Sequence, residues 1–167
     1  MSQYLAIDLG AESGRAIAGT LDNGHLTVEE LHRFPNPTVR DGDGLFWDIP
    51  LLWNGIRAGI AMAAGRTLSG IGVDTWGVDC AFVGVDGKLV DRPRHYRDPR
   101  NAAAMQQVFE IVPRDEVFGY TGVQFMQINT LYQVYAAKMF GDGVLERTWR
   151  LLQIPDLFNF WLTGEAR

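Results

Sequence analysis

The stretch that most constrains this chain runs from Tyr4 to Thr20, Tyr-Leu-Ala-Ile-Asp8-Leu-Gly10-Ala-Glu-Ser13-Gly14-Arg15-Ala-Ile-Ala-Gly-Thr. An apolar run ends in an aspartate, a small polar turn follows, and a second apolar run leads away, which predicts a β-hairpin. Glycines at 10 and 14 would let backbone N–H groups converge on an anion, and Ser13 adds a hydroxyl donor beside them. A carboxylate at Asp8 repels a phosphate directly, so beside such a turn it makes best sense as a holder of Mg2+. Phosphate with magnesium points to a nucleotide. The same residues also suit a purely structural turn, because Asp and Gly serve tight turns for conformational reasons alone. A Walker A loop is excluded, since no Gly-Lys-Ser/Thr follows, and the glycine spacing is not that of a dinucleotide fingerprint.

Composition narrows the partners. The chain has 167 residues, 47% of them hydrophobic and 21% charged, enough apolar material for one core and one globular domain. A net charge of −5, with no basic cluster, argues against nucleic acid. The single cysteine, Cys80, lies in an apolar run, so neither a disulfide framework nor a zinc cluster is expected. No apolar run approaches the roughly 18 residues of a membrane span, and a cytoplasmic protein is expected.

Further along, His25–Val28 begins a third strand after the Asp22-Asn23-Gly24 turn, giving three consecutive antiparallel strands. Pro35, Pro37 and Asp41-Gly-Asp-Gly44 read as an irregular loop. Asp48 is placed to cap a helix with Pro50 in its first turn, its stripe carried by Ile49, Leu52, Trp53, Ile56 and Ile60, stopping at Gly65. The next strand ends at Asp74. After the polar kink Thr75-Trp76-Gly77, a second strand runs to Val85 and a short return strand follows at Leu89-Val90. Polar groups at the carboxyl end of a sheet strand mark a ligand position, so Asp74 and Asp79 are candidates, with turn-capping as the alternative reading.

Arg94-His95-Tyr96-Arg97-Asp98-Pro99-Arg100 gathers hydrogen-bonding groups before a helix striped by Met105, Val108, Phe109 and Val112. Neither His32 nor His95 has a partner at metal-ligand spacing. The segment 121–130 offers Gln124, Gln127, Asn129 and Thr130, amides and a hydroxyl that suit a neutral polyol, and Asn129 or Thr130 could cap the next helix. Trp149–Gly164 reads as a short strand feeding an apolar helix, with Pro155 and Asp156 in the first turn and a surface at Phe158, Phe160 and Trp161 that wants a partner.

Taken together, Asp8-Leu-Gly-Ala-Glu-Ser-Gly-Arg15, Asp74-Thr-Trp-Gly-Val-Asp79, Tyr96-Arg97-Asp98 with Arg100, Leu151–Asp156 and Phe158–Gly164 resemble the FGGY-type carbohydrate kinases. The likeness spans essentially the whole chain and is greatest to the rhamnulokinase branch. The hairpin motif alone would indicate only the wider actin-like ATPase group. The Asp-Thr-Trp-Gly-Val-Asp string is much narrower.

The resemblance implies an α/β fold, a ribonuclease-H-like (actin-like ATPase) domain whose mixed sheet is opened by a three-stranded antiparallel meander and flanked by helices. It implies ATP at Ala11, Glu12, Ser13, Gly14 and Arg15, Mg2+ at Asp8, and a sugar at Gly77 with Trp76, Asp74 and Tyr96. Where glycerol kinases carry an Arg-Glu pair, this chain has Trp76-Gly77, leaving room for a bulkier sugar. The implied reaction transfers the ATP γ-phosphoryl to the C1 hydroxyl of L-rhamnulose. The alternatives are another ketose such as L-fuculose, or a non-catalytic sugar-binding module. Family members are almost three times as long, and the resemblance puts the catalytic base beyond Arg167. Residues 1–167 are thus expected to be an incomplete N-terminal kinase domain lacking its C-terminal partner, inactive alone and prone to self-association. None of Asp8, Asp74, Asp79 or Asp98 is promoted to that base.

Overall fold

The computed structural model, which describes residues 1–166, opens with β1 (Ser2–Leu9) and β2 (Ser13–Asp22) as the expected hairpin. Alternation does the sorting: Leu5, Ile7 and Leu9 turn inward and are fully buried, while Tyr4 and Ala6 face outward. β3 (His25–Pro35) completes the antiparallel meander, and β6 (Leu68–Thr75) adds parallel to β1, giving the order β3-β2-β1-β6. α1 (Ile49–Met62) covers the inner face of the meander. Its capping is as expected, with Asp48 Oδ1 accepting from Leu51 N at 3.0 Å and Pro50 in the first turn. Leu52 and Ile56 are fully buried against the sheet, each contributing on the order of 2 kcal/mol by leaving water.

The chain folds as two compact units. The first holds Met1–Thr38, Trp47–Trp76 and the stretch from Ile154, which begins α6 (Ile154–Thr163). The expectation that α6 lacks a partner surface is corrected by its packing. Leu157 and Phe158 are fully buried, the helix packs on β6, and Trp53 of α1 lies 6.2 Å from Phe158 and 5.4 Å from Trp161, ring centroid to centroid. The apolar surface left open in this unit lies instead on the outer face of the sheet, where Tyr4, Ile17, Gly19, Leu26 and Val28 floor a cleft of about 570 Å³. Leu26 and Val28 are two-thirds exposed.

The second unit comprises Val39–Phe46 and Gly77–Gln153. Its first piece is the body of a second hairpin, β4 (Thr38–Asp41) and β5 (Gly44–Trp47), where the proline and glycine content predicts a loop. Side chains from elsewhere in the unit hold it. Arg92 and Arg94 lie 4.0 and 4.4 Å from the Phe46 ring centroid, and Arg92 also pairs with Asp41 at 2.8 Å. β7 (Cys80–Val83) is shorter than expected and pairs with β8 (Arg150–Gln153) in its own two-stranded sheet, while the return strand at Leu89-Val90 is reduced to a single bridge, Val83 to Leu89.

Helices α2 (Arg100–Ile111) and α4 (Thr130–Phe140) pack together through Ala104, Val108, Tyr132 and Ala136. Between them α3 (Arg114–Thr121) is a helix that periodicity does not predict, since Val117 is its one buried residue and no apolar stripe exists to read. α5 (Val144–Arg147) is a single turn before β8. Among the described residues no helix is long and apolar enough to cross a membrane.

Candidate functional site

The turn between β1 and β2 is closed by Gly10 N donating to Ser13 O at 2.9 Å. Behind it stands Asn36, 2% exposed, whose backbone N donates to Glu12 O at 3.0 Å and whose Nδ2 donates to Gly10 O at 2.8 Å. The carbonyls of Gly10, Glu12 and Ser13 are thereby committed to donors of the chain itself, which suits the turn to an anion rather than a cation. Sequence reasoning missed Asn36; the available signal was a polar residue locked between Pro35 and Pro37.

The bareness of the two glycines of the turn also serves packing. Neither has positive φ. A Cβ on Gly10 would come 3.3 Å from Ser13 O, so its bareness tightens the turn. A Cβ on Gly14 would collide with the Phe34 ring, on the buried side of β2, so the bareness of Gly14 makes room for the core.

Charge gathers at the same end of the strands. Arg15 lies opposite Asp8 in the ladder and its guanidinium is ion-paired with the Asp8 carboxylate, while Arg15 Nε is buried without a hydrogen-bond partner. Arg33 of β3 is in register with Arg15, reaches Ser13 Oγ at 3.3 Å and pairs with Glu30. That hydrogen bond from Arg33 holds the exposed Glu30 carboxyl below its ordinary range. Arg33 is a second residue that the sequence did not single out; only the strand register brings it to the turn.

Asp74 stands beside Asp8 at the same position of the parallel β1–β6 pair, at the carboxyl end of both strands. Two carboxylates, one half-buried and one exposed, thus border one end of the outer-face cleft. Beyond them Trp76 N donates to Leu9 O at 3.0 Å, and the Trp76 ring lies 4.0 Å from that of Trp47.

In the second unit, Gly77 is exposed with open space where a side chain would go. Val78 follows with φ +73°, and Asp79 is 1% exposed. Asp79 is therefore an internal tie rather than a ligand group: Oδ2 accepts from Tyr96 N at 3.3 Å and Oδ1 from Gln133 Nε2 at 2.8 Å. The Tyr96 ring is half-buried, 4.3 Å from that of His95. His95 is buried, its Nδ1 accepting from Arg97 N at 3.0 Å, and burial, then the Arg97 charge, pulls its pKa down to about 4. Asp98, 1% exposed, accepts from Leu45 N, Arg94 Nη1, Arg100 N and Arg100 Nε at 3.0 to 3.1 Å. Most of the 94–100 cluster is thus structural, and Tyr96 is its remaining candidate for a ligand.

The amide loop before α4 is likewise partly spent on the chain. Asn129 takes the N-cap position, but its side chain donates to Gln124 O at 2.8 Å, and Thr130 Oγ1 donates to Val78 O at 2.6 Å, so neither side chain caps the helix as expected. Cys80 is a buried free thiol, pushed up to about 12 by burial and then by Asp79, and is unreactive there.

Comparison with known proteins gives these features a family context. No family model matches the chain. A rhamnulokinase of Bacteroides thetaiotaomicron is 40% identical over 164 residues, which is 97% of this chain and 34% of that protein. The rhamnulokinase of Oceanobacillus iheyensis is 39% identical over 96% of this chain and 35% of its own length. In structure, the gluconate kinase of Lactobacillus acidophilus superposes with a TM-score of 0.84 at 14% identity, covering 99% of this chain and 34% of that one. The chain spans about a third of the length of each of these. Over its whole length it is homologous to a corresponding third of the rhamnulokinases, and it carries the fold of the FGGY-type sugar kinases.

Proposed function

We propose that this chain is the N-terminal third of an ATP-dependent sugar kinase that phosphorylates L-rhamnulose on its C1 hydroxyl, part of L-rhamnose breakdown. The observation that carries the reading is the 40% identity to a rhamnulokinase across nearly the whole chain. L-Fuculose or another ketose is the competing substrate.

The residues present fit magnesium nucleotide. Arg15 Nε is a buried donor without a partner beside a turn whose carbonyls are already committed, and Arg33 adds a second cation. Such a place asks for phosphate oxygens. In this reading Ala11, Glu12, Ser13, Gly14 and Arg15 surround the phosphates, with Asn36 bracing the turn from behind. Asp8 and Asp74 are hard oxygen donors of the kind Mg2+ takes, often through water. Were Mg2+ held at the Asp8 carboxylate, Arg15, which pairs with that carboxylate here, would be free to turn toward phosphate. Bound Mg·ATP supplies the γ-phosphoryl and neutralises its charge. In the second unit, Gly77 and Tyr96 are the sugar contacts we propose; for Asp74 and Trp76 a sugar role is what the family resemblance implies. The base that accepts the C1 hydroxyl proton is, as the resemblance implies, in the part of the kinase beyond this chain; Asp79 and Asp98 are in any case engaged in internal hydrogen bonds. A cytoplasmic setting accords with the free thiol of Cys80.

The test is ADP release by the complete polypeptide that carries this chain, supplied with Mg·ATP and either L-rhamnulose or L-fuculose. A higher kcat/KM for L-rhamnulose is expected. Preference for L-fuculose overturns the substrate, and ADP release with neither sugar, or none at all, overturns the sugar-kinase reading.

A further inference from the structure

The backbone at Val78 is the least comfortable of the second unit. A β-branched residue at φ +73° is a genuine outlier, because Cβ and both its methyl groups crowd the backbone there. Strained backbone persists only where its surroundings over-determine it, and such places cluster at ligand sites. Here the surroundings are two side chains of α4. Thr130 Oγ1 donates to Val78 O at 2.6 Å, and Gln133 Nε2 donates to the same carbonyl at 3.2 Å.

Gln133 does more than this. It is 8% exposed, and its Nε2 also lies 2.8 Å from Asp79 Oδ1 and 2.8 Å from Ile128 O. Its two N–H groups thus serve the buried carboxylate after Val78 and the loop that leads into α4, with Val78 O as a longer contact sharing one of those protons. Through Asp79 Oδ2 the tie extends to Tyr96 N, and from Tyr96 O to Asn101 Nδ2 at 3.0 Å on α2. A Cβ on Gly77 would meet open space, so no packed side chain fixes this position from outside. Its direction is set by its neighbour.

We infer that Gln133, together with Thr130, is a positioning residue of the sugar site: it holds Val78 in the left-handed conformation and so presents Gly77 and Tyr96 to the ketose. The inference rests on the proposed sugar contacts at Gly77 and Tyr96. Neither Gln133 nor Thr130 needs to touch the sugar for it to hold.

Thr130→Val removes the hydroxyl at nearly constant shape, and Gln133→Leu removes the amide. In the complete kinase each is expected to raise the KM for L-rhamnulose, Gln133→Leu about tenfold or more, with the KM for ATP within about twofold of the parent. A residue that only supported the fold would lower the active fraction and leave the ketose KM alone. Val78→Gly supplies the control, because glycine adopts positive φ without strain. In that background the effect of Thr130→Val on ketose KM is expected to shrink, and an undiminished effect overturns the inference, as does an unchanged ketose KM in a folded Thr130→Val protein. Should the unsubstituted kinase not act on L-rhamnulose, the parent reading falls by itself. The positioning claim is then decided on the 167-residue chain by amide NMR: Thr130→Val is expected to shift the Gly77 and Tyr96 resonances, and unmoved resonances overturn it.

Discussion

The ring of Phe34 fills the place where a side chain on Gly14 would stand, so that a Cβ built on that glycine collides with it. A Cβ built on Gly55 of α1 meets the same ring in the same way. Phe34 therefore sits in a slot between strand and helix that exists only because both residues are bare. Gly14→Ala and Gly55→Ala are each expected to destabilise the chain by about 1–3 kcal/mol, the cost of overpacking a filled core. Urea denaturation followed by tryptophan fluorescence reads the change, and Phe34→Leu should recover part of it. An undisturbed midpoint in Gly14→Ala would show that the Phe34 slot does not require a bare residue there.

Acid should weaken the second unit in two stages. His95 has its pKa depressed from 6.5 to about 4 by burial, so below pH 6.5 the unfolded chain binds a proton that the folded chain refuses. Its contribution is fully present above pH 6.5 and is lost as pH falls toward 4, roughly 3 kcal/mol over the window. For Asp98, burial pushes the carboxyl up, but hydrogen bonds from the Leu45 and Arg100 amides and from Arg94 outweigh it and hold the pKa below the ordinary range. That contribution is present above the ordinary carboxylate range and is lost as pH falls through the folded pKa. Stability measured from pH 7.5 to 4.5 should decline in the parent and stay nearly level in His95→Gln; parallel slopes would mean that His95 is not the group responsible.

Asp8→Asn in the complete kinase should reduce kcat by at least ~10²-fold while sugar affinity barely moves, because charge stabilisation of a transferring phosphoryl is commonly the largest single term. The ion pair that Asp8 makes with Arg15 is partly exposed, so its loss should change stability little. Near-native turnover would remove Asp8 from any magnesium site.

Gly77→Glu meets open space and no positive φ, so the folded chain should tolerate it within about 0.5 kcal/mol. In the complete kinase the added bulk and unpaired charge should raise the KM for L-rhamnulose or abolish turnover, with ATP binding intact. Unaltered sugar kinetics in the folded variant would place the ketose elsewhere.

Tested alone, the 167-residue chain should release no ADP above background with L-rhamnulose and should bind ATP no better than about millimolar, since phosphoryl transfer depends on groups positioned across a closed cleft. Its open sheet face should also drive self-association, as contiguous apolar patches beyond a few hundred Å² are seldom left bare on a monomer. Sizing chromatography should show an assembly that Leu26→Lys with Val28→Lys dissociates. A parent that elutes as a monomer would dispose of the association.

Local rules were enough for much of this protein. Alternation and the polar turns marked the meander, and Asp48 with Pro50 marked the start of α1, because strands and capped helices announce themselves in residues that are neighbours along the chain. The Asp8 turn and the Asp74-Thr-Trp-Gly-Val-Asp79 string were legible for the same reason. Everything set by pairing across distance was not. Hairpin β4–β5 forms in a stretch with loop composition because Arg92, Arg94 and Asp98 hold it from far along the chain. The partner of Phe158 is Trp53, and the exposed apolar face is the sheet, not α6. Gly14 has the spacing of a ligand glycine, yet the Phe34 ring occupies the space beside it. Asn36, Arg33 and Gln133 carry no motif and reach their places only through strand register and helix docking. The order of residues was sufficient to say which chemistry the chain resembles and where its strands turn. Tertiary packing decided which polar groups are consumed in holding the backbone, since a hydrogen-bonding side chain has the same identity whether it serves the fold or a ligand and only its partners tell the roles apart.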